Sequence, residues 1–381
     1  MLQKPTNYIQ DLKHIIETIG NKYAPDKRVE LFSIEVIDSE KGLQLKGETT
    51  NKPAYRELIA EAKKLFLLIE DNIRILPDEV IGEKNWGVIY NSVANMHSKP
   101  THKSDMVSQV LLGMPVRLLD ISGDWLRIQA PEGYIGWISG SAQPLKHKEL
   151  KDYLAKPKII ITCQYAKSYS KADVESQSVS DIVIGNIFTL DGEKDNFYSV
   201  TYPNGRVAYV EKQNAQEVAN WFNEIELTGE SILKTAKQLM GVPYVWGGTS
   251  SKGLDCSGFT KTVYWMHGII IPRDASQQVF CGVEVDNKGD FRNVKKGDFV
   301  FFGEKASVEN PKEKVLHVGI YIGNRQFIHA SDYIHISSFN PEDKLFDTFN
   351  TNRYLRTMRY IGSEGTSGIT PIAEHSFYSK D

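Results

Sequence analysis

Three residues carry the chemistry that this chain can be read to perform: Cys256, His317 and His329. Cys256 lies in Gly253-Leu254-Asp255-Cys256-Ser257-Gly258-Phe259, where a helix begins. Phe259, Thr262, Val263 and Met266 form the apolar stripe of that helix, and Gly268 closes it. A thiol at a helix N-terminus faces the positive end of the dipole and free backbone N–H groups. That setting lowers its pKa, favours the thiolate nucleophile, and offers donors for an oxyanion. A thiolate needs a general acid for the leaving amine, most often histidine. Two histidines follow on strand-like runs, His317 to Ile322 and Gln326 to Ser331, joined by the turn residues Gly323-Asn324-Arg325. A three-residue loop pairs 322 with 326 and sets 319 opposite 329, with 317 on the same face. One histidine is then acid and base, and the other orients its ring. Each residue alone is ordinary; their co-occurrence behind the glycine-rich aromatic loop Tyr244-Val245-Trp246-Gly247-Gly248 points to nucleophilic catalysis.

The chain has three cysteines, Cys163, Cys256 and Cys281, and no C-x-x-C pair. An odd count argues against a disulfide framework, and the absence of tight ligand pairs argues against zinc held by Cys256, His317 and His329. Cys163 falls in a barrel-like segment and Cys281 follows the strand-like Val279-Phe280, so Cys256 reads as the sole catalytic thiol. No metal or cofactor is expected.

The elements that must position these residues fall into several units. At 381 residues two or three domains are expected, and 41% hydrophobic with 24% charged content excludes a disordered or low-complexity chain. With 45 basic and 48 acidic residues, a net charge of -3 gives no polyanion-binding surface, so nucleic acid is excluded as a partner. No apolar run approaches a membrane span. The opening MLQKPTNYIQ has no apolar leader, which places the protein in the cytoplasm, or in the cell envelope if a leader was removed.

Residues 1–80 read as a small α+β unit. It has a helix over 7–20 ended by Gly20, strands over 29–37 and 43–49, and a helix from about Asn51 with Tyr55, Leu58, Ile59, Ala62, Leu65 and Phe66 on its apolar face. No catalytic constellation is visible there, so its role reads as scaffold or docking. Residues 85–150 and 155–212 read as two small β-barrels, because the sequence repeats at an offset of 72. Gly113 matches Gly185, Trp125 matches Phe197, Pro131-Glu132-Gly133 matches Pro203-Asn204-Gly205, and Ile135-Gly136-Trp137-Ile138 matches Val207-Ala208-Tyr209-Val210. A linker helix over 213–230, with Ala215 to Glu224 helical, leads to a catalytic α+β domain at 231–361 and a tail at 362–381. The helix Ile232 to Met240, ended by Gly241, opens that domain.

The barrels resemble bacterial SH3 domains through Trp125-Leu126-Arg127-Ile128 and Gly133-Tyr134-Ile135-Gly136-Trp137-Ile138. Residues 231–345 resemble the NlpC/P60 family of papain-like cysteine peptidases. The matching stretches are Tyr244-x-Trp246-Gly247-Gly248, Asp255-Cys256-Ser257-Gly258-Phe259, Pro272-Arg273-Asp274-Ala275-Ser276-Gln277-Gln278, Gly297 to Phe302, His317 to Gly323 and Ile328-His329-Ala330. With two SH3-like modules in front, residues 90 to about 345 resemble γ-D-glutamyl-L-diamino acid endopeptidases of the dipeptidyl-peptidase VI type; residues 1–80 fall outside the resemblance. The resemblance implies a multidomain α+β fold with Cys256 as nucleophile, His317 as base, His329 as orienter and Tyr244 beside the nucleophile. It implies cleavage of L-Ala-γ-D-Glu-diamino acid murein peptides that have a free N-terminal L-Ala. Tyr134 and Asp255 would meet the L-Ala amine, with Asp105 as a loosely aligned further carboxylate. Ser257 and the Arg273-Asp274-Ala275 segment would hold the γ-D-Glu carboxylate. Serine is common where Ala275 stands, so Ser276 substitutes or the contact is lost. Another thiol amidase or transpeptidase on the same fold, and a non-catalytic cell-wall-binding protein, remain the alternatives; intact Cys256, His317 and His329 speak against the second.

Overall fold

The computed structural model describes residues 7–39, 42–65 and 69–379. Phe66 of the expected apolar face lies outside them. The N-terminal unit packs the helices Asn7–Tyr23 and Lys52–Leu65 on a three-stranded sheet, with Leu12, Ile19, Phe32, Leu45 and Leu58 in its core. The first helix runs past Gly20 to Tyr23. Gly20 serves close packing here, because a Cβ on it would meet the Phe32 ring at 3.2 Å. A third strand, Ile69–Ile75, pairs in parallel with Gly42–Thr49. Its polar stretch Glu70-Asp71-Asn72 breaks the alternation that reveals a strand in sequence.

The repeat is far more complete than its sequence trace. Strands Trp86–Ile89, Val93–His97, Met106–Leu111, Pro115–Ser122, Trp125–Gln129 and Ile135–Ser139 form one sheet. Strands Lys158–Ile161, Tyr165–Tyr169, Ser178–Val183, Ile187–Lys194, Phe197–Thr201 and Val207–Glu211 form the second, each 72 residues on and in the same spatial order. Even the bulges correspond, between Leu118 and Asp120 and between Leu190 and Gly192. Gly113 and Gly185 share φ of +84°, a backbone region that side chains with a Cβ rarely enter.

Ala215–Glu217 is the seventh strand of the second barrel, the counterpart of Ala142–Leu145 in the first, so the expected connecting helix shortens to Val218–Glu224. The C-terminal part is a six-stranded antiparallel sheet ordered 283–286, 354–359, 299–304, 314–323, 326–330 and 334–338. Helices Gly229–Gln238 and Cys256–Trp265 pack with it in a continuous core. Every residue of the second helix is buried, where one apolar stripe was expected. The first barrel covers its outer side. Gln109 accepts from the Thr249 N–H at 2.9 Å, and Glu132, with its side chain 2% exposed, pairs with Lys261 at 3.3 Å. Residues 362–379 pack back on the molecule: Thr370–Pro371 pairs with Ile269–Ile270, and Phe377 meets the Trp86 ring edge-on. Among the described residues no helix is long and apolar enough to cross a membrane.

Candidate active site

Asp255 caps the helix Cys256–Trp265: its Oδ1 accepts the Gly258 N–H at 2.7 Å. That bond fixes Cys256 as the first helical residue. The Cys256 sulfur faces the backbone N–H of Val318, the residue after His317, and that of Ser257. Strand 314–323 therefore passes beside the thiol, and His317 is the residue directly before that contact.

The histidine hairpin differs from the expected one in detail. Its turn is Asn324-Arg325, with φ of +52° and +58°, a two-residue turn suited to strand twist. Gly323 pairs with Gln326, and a bulge after Tyr321 resets the register to Tyr321↔Phe327 and Ile320↔Ile328. The bulge absorbs the one-residue difference, so 319 still opposes 329. A Cβ on Gly319 would lie 3.1 Å from the His329 Cβ, so the absent side chain makes room for the second ring.

His317 Nε2 and His329 Nδ1 are 2.8 Å apart, and His329 Nε2 lies 3.0 Å from Ser337 Oγ. All three residues are buried. One tautomer set satisfies the whole chain: His317 donates from Nε2 to His329, which donates from its own Nε2 to the Ser337 hydroxyl. His317 Nδ1 then keeps a lone pair. Ser337 was not anticipated; its only sequence signal is a position on the strand after the hairpin. Burial pushes the His317 pKa well below its ordinary value, with His329 adding to the effect. Burial likewise takes His329 down to about 3. Both rings are neutral at physiological pH.

The thiol departs from expectation. Burial pushes the Cys256 pKa up to about 12, and the Asp255 carboxylate adds to this. The Val318 and Ser257 N–H groups and Arg273 oppose the rise without cancelling it. The helix terminus therefore does not leave a resting thiolate. Tyr244 stands near the thiol, and burial raises its own pKa.

Arg273 is the hub behind the nucleophile. Its side chain is 1% exposed and bonds Asp255 Oδ1 at 3.1 Å and Oδ2 at 2.5 Å, Ser257 Oγ at 3.0 Å, and Ser108 Oγ of the first barrel at 3.1 Å. Asp255 Oδ2 also accepts the Gly247 N–H at 2.9 Å. Asp255, expected at the substrate amine, and Arg273, expected at the γ-D-Glu carboxylate, bond each other and pin the nucleophile loop. Asp274 is the more open carboxylate, with its side chain 26% exposed, and its Oδ2 accepts the Tyr134 hydroxyl at 3.2 Å. Burial, then Asp274, keeps Tyr134 protonated. Ala275 is buried and offers no hydroxyl. Ser276 Oγ accepts a bond from Arg28 of the N-terminal unit, which also reaches Asp274. Asp105 is exposed and forms no hydrogen bond to this cluster among the described residues. Among those residues no group of three His, Cys, Asp or Glu side chains is placed to hold a metal ion.

Comparison with known proteins fits this geometry. Residues 241–357 match the NlpC/P60 family, and residues 96–142 match the bacterial dipeptidyl-peptidase Sh3 domain. The chain is 31% identical over 266 residues to a gamma-D-glutamyl-L-lysine dipeptidyl-peptidase of Bacillus cereus, covering 67% of this chain and 77% of that one. It is 24% identical over 268 residues to dipeptidyl-peptidase 6 of Lysinibacillus sphaericus, covering 68% and 93%. A crystal structure of an NlpC/P60 family protein from Bacillus cereus superposes with a TM-score of 0.60 at 27% identity, over 72% of this chain and 99% of that one. An NlpC/P60 endopeptidase from Photobacterium damselae shares the fold at 13% identity, with a TM-score of 0.54 over 93% of this chain and 90% of that one. The cysteine at a helix start and the two-histidine relay thus lie within the matched family region, and the chain belongs to the NlpC/P60 family.

Proposed function

We infer that the protein is a cysteine peptidase that hydrolyses the γ-D-glutamyl–diamino acid bond of murein peptides with a free N-terminal L-Ala. The observation that carries this reading is the aligned relay from His317 Nε2 to His329 Nδ1 to Ser337, on the strand whose Val318 N–H faces Cys256 at its helix start. In this reading His317 Nδ1 takes the thiol proton as sulfur attacks the scissile carbonyl. It then gives that proton to the leaving amine. A water molecule, deprotonated by the same nitrogen, releases the acyl group. His329 stays neutral and accepts from the imidazolium, so the relay stabilises charge without moving a second proton.

Specificity follows from the closed end of the cleft. Tyr134 and the Asp274 carboxylate, which is 26% exposed and shared with Arg28, offer a phenol and a carboxylate to the substrate ammonium. An acetylated amine brings no charge there and leaves polar groups unpaired. The test is incubation with L-Ala-γ-D-Glu-L-Lys and its meso-diaminopimelate counterpart, free and N-acetylated, read by mass spectrometry. Release of L-Ala-γ-D-Glu from the free peptides alone, abolished in Cys256→Ala, supports the reading. Equal cleavage of the acetylated peptides overturns the amine wall, and turnover by Cys256→Ala overturns the mechanism.

A further inference from the structure

The N-terminal unit was assigned no part in chemistry, and neither family match reaches it. Yet its segment 26–29 packs against both the first barrel and the peptidase part. The Arg28 carbonyl accepts the Ile135 N–H at 2.8 Å, and the Val29 carbonyl accepts Gln129 Nε2 at 2.9 Å. Tyr134 stands directly before Ile135. From the peptidase part, Gln277 Nε2 donates to Asp26 Oδ2 at 2.7 Å.

The Arg28 guanidinium sits at the junction. It has five N–H donors. Nε and one Nη2 hydrogen go to Asp26, at 2.8 and 2.7 Å. Nη1 serves Asp274 Oδ2 at 2.8 Å and Ser276 Oγ at 2.9 Å. Among the described residues one Nη2 N–H is left over, on a side chain that is 38% exposed. Ser276 accepts in this arrangement, so its own O–H is also left to donate. Two unspent donors, one of them cationic, therefore stand beside the Tyr134–Asp274 pair. Arg273, the other cation of this segment, is 1% exposed with its donors committed to Asp255, Ser257 and Ser108.

We propose that Arg28, with the Ser276 hydroxyl, reads the free α-carboxylate of the γ-D-glutamyl residue and so makes the N-terminal unit a specificity-determining wall of the cleft. This rests on the peptidase reading above. In L-Ala-γ-D-Glu the ammonium and the α-carboxylate are carried by consecutive residues, whose Cα atoms are about 3.8 Å apart. A positive and a negative group side by side call for a negative and a positive partner side by side. Asp274 with Tyr134 supplies the first, and Arg28 with Ser276 the second. A charge-assisted hydrogen bond of this kind discriminates by about 10- to 100-fold.

The test compares kcat/KM for L-Ala-γ-D-Glu-L-Lys with that for its α-amide, the γ-D-isoglutaminyl peptide. The unmutated protein should prefer the free carboxylate by about 10- to 100-fold. Arg28→Gln should cut that preference to about threefold or less, chiefly by raising KM for the acid, and Arg28→Lys should restore part of it. Ser276→Ala, which leaves the docking contacts of Asp26 and Arg28 with the barrel intact, should lower the preference by a few-fold. Full preference in a folded Arg28→Gln protein, or no preference in the unmutated one, overturns the proposal. If Arg28→Gln does not fold, an undiminished preference in Ser276→Ala overturns it instead. Failure of the unmutated protein to cleave either peptide would instead sink the peptidase reading, which separates the two outcomes.

Discussion

Lowering the pH should act on the buried histidine pair before anything else in the site. The His317 and His329 ring centroids are 5.0 Å apart. At an effective dielectric near 20, two positive charges at that distance repel by about 3 kcal/mol, or about 2 pH units between the first and second protonation. Burial already holds both pKa values below the ordinary 6.5, so the first proton also enters late. Two consequences follow. The acid limb of kcat/KM should lie below pH 6.5, because only a neutral His317 can take the thiol proton. Stability should fall over the same range. The unfolded chain binds protons near 6.5 and the folded pair does not, so unfolding free energy is constant above 6.5 and drops as pH falls towards the folded values. Each ring costs about 1.4 kcal/mol per pH unit in that window, or about 4 kcal/mol for the pair at pH 5. His267 and His375 are also lowered by burial and act in the same direction. Urea unfolding at pH 7.5, 6.5 and 5.0 should therefore be run beside His329→Gln, which removes one member of the pair. The variant should lose clearly less stability between 6.5 and 5.0. Parallel losses in the two proteins, or nuclear magnetic resonance titration of both rings near 6.5, would refute the reasoning.

Other substitutions test other parts of the frame. Arg273→Met leaves Asp255 buried and unpaired, and should cost roughly 3–5 kcal/mol, read as a fall in denaturant midpoint; a loss under about 1 kcal/mol contradicts its role as the pin. Gly319→Ala places a methyl 3.1 Å from the His329 Cβ and must move that ring by a few tenths of an ångström. It should lower kcat about tenfold with little change in KM, and an unchanged kcat would mean the relay tolerates displacement. Tyr134→Phe removes the hydroxyl donated to Asp274 and should lower kcat/KM for free-amine peptides by about 10- to 100-fold, leaving acetylated peptides equally poor for both forms.

The parts of this molecule legible in sequence are those whose constraints are local or periodic. The 72-residue offset was visible because the same turns and aromatic strands recur, and six strands of each seven-stranded sheet obey it residue for residue. The Asp-Cys-Ser-Gly cap is local in the same sense. The histidine pairing survived an error in the turn because the bulge compensated for the altered loop. What was not legible depends on contacts between distant units. Nothing near Arg273 in the chain distinguishes a buried pin from a substrate ligand; that is decided by Ser108 of the first barrel, 165 residues away. Arg28 meets Asp274 across 246 residues, so its place at the cleft has no sequence signal at all.

The thiol is where two local rules compete, and magnitudes decide between them. A helix terminus contributes about 0.3–1 kcal/mol to a neighbouring charge, up to about 2 in partly buried geometry. Burial in this site raises the Cys256 pKa to about 12, some 3 units above its reference of 9.0 and worth about 4 kcal/mol. Burial wins. A thiolate–imidazolium pair would need a proton to move from a thiol whose pKa burial raises to an imidazole whose pKa burial lowers, so burial opposes the charged pair on both sides. The resting pair is therefore neutral, and proton transfer accompanies attack on the bound carbonyl. A general alkylating agent should then fail to single out Cys256 at neutral pH, because Cys163 is less buried. A peptide that acylates thiols and carries the L-Ala-γ-D-Glu framework should label Cys256 alone, since its carbonyl is delivered where His317 can take the proton. Rapid, selective labelling of Cys256 by iodoacetamide at pH 7 would show a resting thiolate and overturn the neutral-pair argument.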